Sequence, residues 1–245
     1  TGFNSLTGNL NAVVENTGWE FTLRTQNIRT SDFSWSTSFN VSFPRNELVS
    51  FPNLEQSVYA SQYVVGKSIN TKKLYHLEGV DQETGVYKFT DVNQDGVLND
   101  EDRTTLVDVG VKSFGGLQNT FNYKNWSFDF LFQFVVQKGY NALYGLPING
   151  IMYNQPEALT DSWTPENTDA KYQRATTSNM DALQAYQRFQ LSNAMISDAS
   201  YIRLKNVNIK YRLPSNVFKN VNADVYLQAQ NLFTITNYFG SDPET

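Results

Sequence analysis

The chain has 245 residues, 40% of them hydrophobic and 18% charged, which is enough for one large or two modest domains with a sizeable core. Its formal charge of −5 leaves no basic excess to displace counterions from phosphates, so a nucleic-acid partner is excluded. Cysteine is absent, which removes disulfides, thiolate zinc sites and cysteine nucleophiles together.

Aromatic residues are the outlier, with 17 Phe, 14 Tyr and 4 Trp in a chain whose mean hydropathy is −0.45. The most apolar stretch, Phe128 to Val136, contains Asp129 and Gln133. It falls far short of the ~20 apolar residues that a spanning helix needs. Thr1 to Asn11 has neither the basic start nor the apolar run of a signal peptide, so any export signal is expected elsewhere.

In chain order, the strongly patterned segments repeat every two residues rather than every 3.6. Trp19, Phe21 and Leu23 alternate with Glu20, Thr22 and Arg24, which predicts a strand near 19 to 28. Phe33, Trp35, Phe39, Val41 and Phe43 alternate with Ser34, Ser36, Ser38, Asn40 and Ser42, with Thr37 the one polar residue on the apolar side. A weaker strand follows at 117 to 123, from Leu117, Phe121 and Tyr123 against Gln118, Thr120 and Asn122. Trp126, Phe128, Phe130, Phe132, Phe134 and Val136 form the next, with Leu131 and Val135 blurring its polar side. Ile202 and Leu204 face one way, and Val207, Ile209, Tyr211 and Leu213 resume one residue out of step. A β-bulge near Asn206 restores a single apolar face. Val225, Leu227 and Ala229 against Asp224, Gln228 and Gln230 predict a last strand near 223 to 233.

Connection lengths carry the topology. Three strand pairs are closed by short links: about four residues after 28, Lys124-Asn125, and Pro214 to Asn222. Two long stretches, 44–113 and 138–200, lie between the pairs. Tight turns alternating with long loops mark a transmembrane β-barrel, whose strands need about 9–11 residues where ordinary strands run to ~5–6. A spanning sheet must also close, because hydrocarbon offers no partner to an unpaired backbone N–H. The fold class expected is therefore all-β, an antiparallel up-and-down transmembrane barrel present as an arc of six or seven strands, with its aromatic faces toward outer-membrane lipid. A soluble β-sandwich that buries the same faces between two sheets is the alternative.

One site motif stands out. Asp91, Asn93, Asp95, Asn99 and Asp102 occupy loop positions 1, 3, 5, 9 and 12, with Gly96 at the turn position and Val97 offering a backbone carbonyl at 7. Ca²⁺ takes about six to eight hard oxygens at flexible spacing, and a glycine permits the sharp bend that folds them inward. No helical pattern flanks the loop, so a structural calcium clip is expected rather than a sensor; an Asx-rich turn closed by its own side chains is the other reading. Asp102 stands where a bidentate Glu is usual, and its shorter arm is expected either to weaken the site or to leave a water in one position.

The remaining constellations are weak. Gly66-Lys67-Ser68 resembles the end of a phosphate loop but lacks its first glycine and its strand-to-helix flanks. His76 is the sole histidine, and no G-x-S-x-G supplies a nucleophile. Asp100 with Glu101, and Asp242 with Glu244, read as loop charge rather than glycosidic acid/base pairs. Arg24 and the stripe Arg203, Lys205, Lys210 and Arg212 are expected to line a polar barrel lumen. Tyr140, Tyr144, Tyr153 and Trp163, set among glycines and prolines, are expected either to stack on sugar rings, to meet a partner protein or to hold their own loop together. Pro156 to Trp163 predicts a short helix with proline in its first turn.

Five groups of residues, in order along the chain, resemble the SusC/RagA family of TonB-dependent outer-membrane transporters: 16–20 (Asn-Thr-Gly-Trp-Glu), 91–103, 161–167 (Asp-Ser-Trp-Thr-Pro-Glu-Asn), 200–206 with 211–214, and 230–236 with Tyr238 and Asp242-Pro243-Glu244. The resemblance implies a closed barrel of roughly 22 strands around an N-terminal plug, a SusD-like surface lipoprotein as partner, and import of oligosaccharides or peptides with energy from the TonB complex. It implies that residues 1–245 are a C-terminal part of such a barrel, without the plug, the TonB-contacting segment or the last strand, and that 44–113 and 138–200 are extracellular. The function expected is a share in oligosaccharide import with no enzymatic chemistry. The alternative is a secreted calcium-stabilised carbohydrate-binding module.

Overall fold

A computed structural model of the chain describes residues 10–214 and 222–244; expectations that fall on 1–9, 215–221 and 245 lie outside the described residues. Six long strands form one sheet in chain order: β1 (Val13–Arg29), β2 (Phe33–Ser50), β3 (Ser113–Tyr123), β4 (Trp126–Val136), β5 (Tyr201–Arg212) and β6 (Asp224–Thr236). The pairs from β2 onward are antiparallel. Strands of 17 and 18 residues at β1 and β2 exceed what the alternation predicts, because polar residues such as Glu47 continue the ladder. All the others reach 11 residues or more, the length that a tilted span requires.

Register sorts the side chains cleanly. Paired residues share a face, so Trp35, Phe121 and Phe128 align across β2, β3 and β4, and Phe132, Leu204 and Phe233 across β4, β5 and β6. The opposite face aligns Ser36, Thr120 and Asp129, then Asn208 and Gln228. Between Leu204 and Asn206 the register shifts against both neighbours. Against β4 the extra residue is Lys205, which keeps Ile202, Leu204, Val207, Ile209 and Tyr211 on the apolar side, whereas against β6 the extra residue lies on β6, where Asn231 takes φ 51°. At the turn after Tyr123, which pairs with Trp126, Lys124 takes φ 51°, the left-handed conformation that a two-residue hairpin demands.

The apolar face is a single layer of rings. Trp35 stacks on Phe121 at 5.6 Å, and Phe121 on Phe128 at 6.0 Å. Phe39 of β2 stacks on Phe134 of β4 at 6.1 Å although β3 runs between them. Gly115 makes this possible, since a Cβ there would sit 2.7 Å from the Phe134 ring and 2.1 Å from the Asn40 carbonyl oxygen. Thr37, the polar exception, hydrogen-bonds Asn119 at 2.7 Å, and Asn119 also accepts from the Trp35 indole at 2.9 Å. Every other ladder among the described residues has two strands, so no second broad sheet is present to complete a sandwich.

Residues 46–110 and 140–197 form a second compact unit. The long connections therefore fold together. Tyr75, Tyr87 and Phe89 from the first meet Leu143, Leu159, Tyr172, Phe189 and Met195 from the second in one core. Tyr87 and Phe189 stack at 4.2 Å. The Tyr75 N–H donates to the Leu191 carbonyl, and the Asn193 N–H donates back to the Tyr75 carbonyl. Each buried ring or aliphatic chain contributes about 1.5–3 kcal/mol, which offsets the entropy of ordering such long segments.

Two elements depart from expectation. Pro156 to Trp163 makes only a 3-10 turn, Glu157–Thr160, because Asp161 leaves helical geometry. A helix that the alternation does not announce, α1 (Met180–Phe189), buries Ala182, Ala185 and Phe189 and is capped by the Asn179 side chain, which accepts from the Ala182 N–H.

Candidate functional site

The loop 91–102 is built around its carboxylates. Asp91 accepts from the N–H groups of Gln94 and Gly96, both at 2.8 Å, and Asp95 accepts from the Val97 N–H at 2.7 Å. Gly96 has φ 80°, which closes the turn. Asn93 donates to Asp95 and Glu101, and the Asn99 side chain accepts from the Glu101 N–H. Asp102, 1% exposed, accepts from Val92 N–H at 2.8 Å and Asn99 N–H at 2.9 Å. Those backbone donors hold its carboxyl below the ordinary carboxylate range. The donor set is all oxygen, which suits Ca²⁺ in kind. In arrangement the carboxylates are turned onto backbone N–H groups, and among the described residues no three acidic or imidazole groups converge as a metal cluster.

The loop aromatics divide. Trp163 donates its indole N–H to the Gln82 carbonyl at 3.0 Å and lies under Arg174. It also packs flat on Gly85, where a Cβ would meet the ring at 2.3 Å. Trp163 thus ties one long connection to the other. Tyr153 is exposed in the run Ile151, Met152, Tyr153. Tyr140 and Tyr144 stack on each other at 4.0 Å and border a recess of about 270 Å³ that Lys72, Lys73 and Arg103 also line. The sequence reading missed those three cations; Lys72-Lys73 beside an apolar residue was the available signal.

Arg24, Arg203, Lys210 and Arg212 lie on the polar face of the sheet. Arg24 borders a shallow concavity of about 400 Å³ with Ser36, Ser38, Gln118 and Thr120. Lys210 and Arg212 reach Asp224 at 3.7 and 3.2 Å. Arg203 is largely buried and donates to Asp242 and Glu244, both at 2.7 Å, and to the Thr234 hydroxyl. Lys205 and the Tyr201 hydroxyl complete the hold on Glu244. The pair Asp242 and Glu244 is thereby committed to this clasp, and Arg203 serves it rather than open solvent.

The weak motifs take structural places. Gly66 and Lys67 exchange backbone hydrogen bonds with Leu48, and no helix follows them. The His76 ring contacts the Asn193 amide at 3.1 Å. Asp100 pairs with Arg103 at 3.2 Å.

No family model matches the chain. TonB-dependent receptor P26 of Formosa agariphila is 29% identical over the whole chain, which covers 27% of that receptor. Receptor P3 of the same organism is 27% identical over 94% of the chain, and TonB-dependent receptor SusC of Bacteroides thetaiotaomicron is 26% identical over all of it. The chain spans about a quarter of the length of these curated relatives. In fold, it matches a structure of the RagAB peptide transporter with a TM-score of 0.76 and 26% identity, over 95% of this chain and 27% of that one. A RagAB structure in the closed-closed state gives 0.72 at 23% identity, a likeness of fold alone. Similar in sequence along its whole length to TonB-dependent receptors and in fold to RagAB over nearly all of it, the chain resembles an arc of a SusC/RagA-type outer-membrane β-barrel.

Proposed function

We propose that this chain is part of a TonB-dependent importer of oligosaccharides that works with a SusD-like surface lipoprotein. The observation that carries the reading is the two-faced sheet. Its rings lie on one side, and Ser36, Thr120, Asp129, Asn208 and Gln228 on the other. Such a wall suits lipid on its ring side and a hydrated path for a polyhydroxylated solute on the other. The relative named SusC supports the class of protein, and the stacked Tyr140 and Tyr144 support sugar contact.

In the same reading the loop 91–102 takes Ca²⁺, with oxygens from Asp91, Asn93, Asp95, Asn99, Asp102 and the Val97 carbonyl. Binding exchanges the present N–H contacts of the carboxylates for metal–oxygen ones.

A peptide substrate is the second reading, favoured by the RagAB likeness. The test is uptake by cells that carry the full-length receptor. Accumulation of labelled oligosaccharides, abolished by a proton uncoupler, is the expected result. Accumulation of labelled peptides alone would overturn the sugar reading, and copurification of a surface lipoprotein in detergent checks the partner.

A further inference from the structure

The recess beside Tyr140 and Tyr144 is cationic. It lies wholly within the unit of 46–110 and 140–197, and its lining includes Lys72, Lys73 and Arg103 but no carboxylate. The chain as a whole carries −5. Three cations around one small cavity therefore run against the composition.

Their charges are only partly answered. The Lys73 ammonium donates to the Ala60 carbonyl, a neutral acceptor. The Arg103 guanidinium donates to the Lys73 carbonyl through Nε and Nη2, which leaves Nη1 for the exposed Asp100 carboxylate. Lys72, half-buried in its strand, has no side-chain partner among the described residues. A half-buried cation without a counterion is poorly solvated, and an incoming anion gains a charge-assisted hydrogen bond there.

The second component is the ring pair. Tyr144 is 49% exposed, so its ring is open to a ligand, while Tyr140 behind it is more enclosed. Burial and the neighbouring Tyr144 raise the Tyr140 hydroxyl above its ordinary value, with Arg103 acting against them. A stacked tyrosine presents a flat apolar surface with a polar rim. Sugar rings offer the matching shape, a face of C–H bonds edged by hydroxyls. Ser61 and Gln62 add a hydroxyl and an amide to the lining. An extended acidic peptide would call for a free strand edge to hold its backbone. At about 270 Å³ the recess is also below the ~300–1,000 Å³ of pockets that hold drug-sized ligands, so it suits one unit of a chain.

We propose that this recess binds a single anion-bearing sugar unit, a uronate or a sulfated sugar, with Lys72, Lys73 and Arg103 facing the acid and Tyr144 under the ring. The proposal rests on the oligosaccharide reading and narrows it to acidic glycans.

The experiment is calorimetric titration of the full-length receptor in detergent with trigalacturonate, glucose 6-sulfate, maltotriose and triglutamate. The expected result is binding of trigalacturonate, of glucose 6-sulfate or of both, weakened by added salt, with maltotriose at least about tenfold weaker. Lys72→Gln, which removes a side chain with no hydrogen bond or ion pair among the described residues, weakens it by about tenfold or more, as the loss of one charge-assisted hydrogen bond predicts. Lys72→Arg retains it, and an unchanged melting temperature confirms that both variants are folded. Failure of both acidic sugars to bind, affinity unmoved by Lys72→Gln, or triglutamate binding as tightly would overturn the site. Uptake separates the two claims. Import of neutral glycans without binding of either acidic sugar sinks the recess and leaves the importer, whereas binding without any oligosaccharide uptake sinks the importer and leaves the recess.

Discussion

The six-stranded sheet and the unit formed by 46–110 with 140–197 draw on the same aromatic stock and use it in opposite directions. On the sheet, Trp19 is 72% exposed and Leu227 69%, with rings set side by side in one layer. In the other unit, Phe189 is 3% exposed and Met195 fully enclosed. The rule that apolar residues go inside holds for one and fails for the other, because their solvents differ. Water drives the second unit to form a core, whereas hydrocarbon is as apolar as the rings and leaves backbone pairing as the constraint on the sheet.

The comparison breaks most readily at the enclosed core. Phe189→Ala removes the ring stacked on Tyr87, and a deletion of that size costs about 3–5 kcal/mol. Limited proteolysis of the full-length receptor should then cut within 46–110 or 140–197 while the sheet stays resistant. Loss of the sheet's resistance as well would show that the two are not energetically distinct.

A charge on the ring face comes next. Phe132→Arg, near the middle of β4, is expected to cost ~2–4 kcal/mol in refolding into lipid vesicles, the cost of arginine at a bilayer's midplane. Leu131→Arg, one residue away and on the polar face, should cost far less. Equal costs at the two positions would refute the assignment of faces.

The clasp at Arg203 gives a smaller effect. Arg203→Ala leaves Asp242 and Glu244 without their main partner, but both are partly exposed, so solvent screens the loss to about 1–2 kcal/mol. Hydrogen exchange should rise at Glu244, whose N–H is held by Asp242, with little change elsewhere in the sheet.

The gentlest perturbation is acid at the loop 91–102. The Asp102 carboxyl is held low by the N–H groups of Asn99 and Val92. Its contribution is therefore complete above the ordinary value near ~3.9 and is lost as pH falls through the depressed one. Protection of those two amides, corrected for intrinsic exchange, should fall in that window. Asp102→Asn should show the weaker protection already at neutral pH, and Ca²⁺, which takes the carboxylate away from those two amides, should lower their protection in the parent protein.

The strands were legible because period two is a local signal. Trp35, Phe39, Phe128 and Phe132 disclose their face within a few residues, and the slip near Asn206 is visible as a broken phase. The shared core of the long connections was not legible, since Tyr75 and Phe189 stand more than a hundred residues apart in segments with no period. Helix α1 left a fainter trace, with Asn179 as cap and Ala182, Ala185 and Phe189 at helical spacing, but two of its three buried residues are alanines. At the sites, spacing marked the loop 91–102, while the cations near Tyr144 come from distant positions that only the fold assembles.

Gly115 has a consequence for assembly. The ring of Phe134 crosses a strand that lacks a side chain there and rests against Phe39 on the far side, so three neighbouring ribbons are pinned at one point. Were β3 to slide by two positions, Leu117 or Ser113 would fill the saddle and evict the ring. The gap thus works as a detent, a notch that only the native alignment can click into while the wall is being laid down in the membrane.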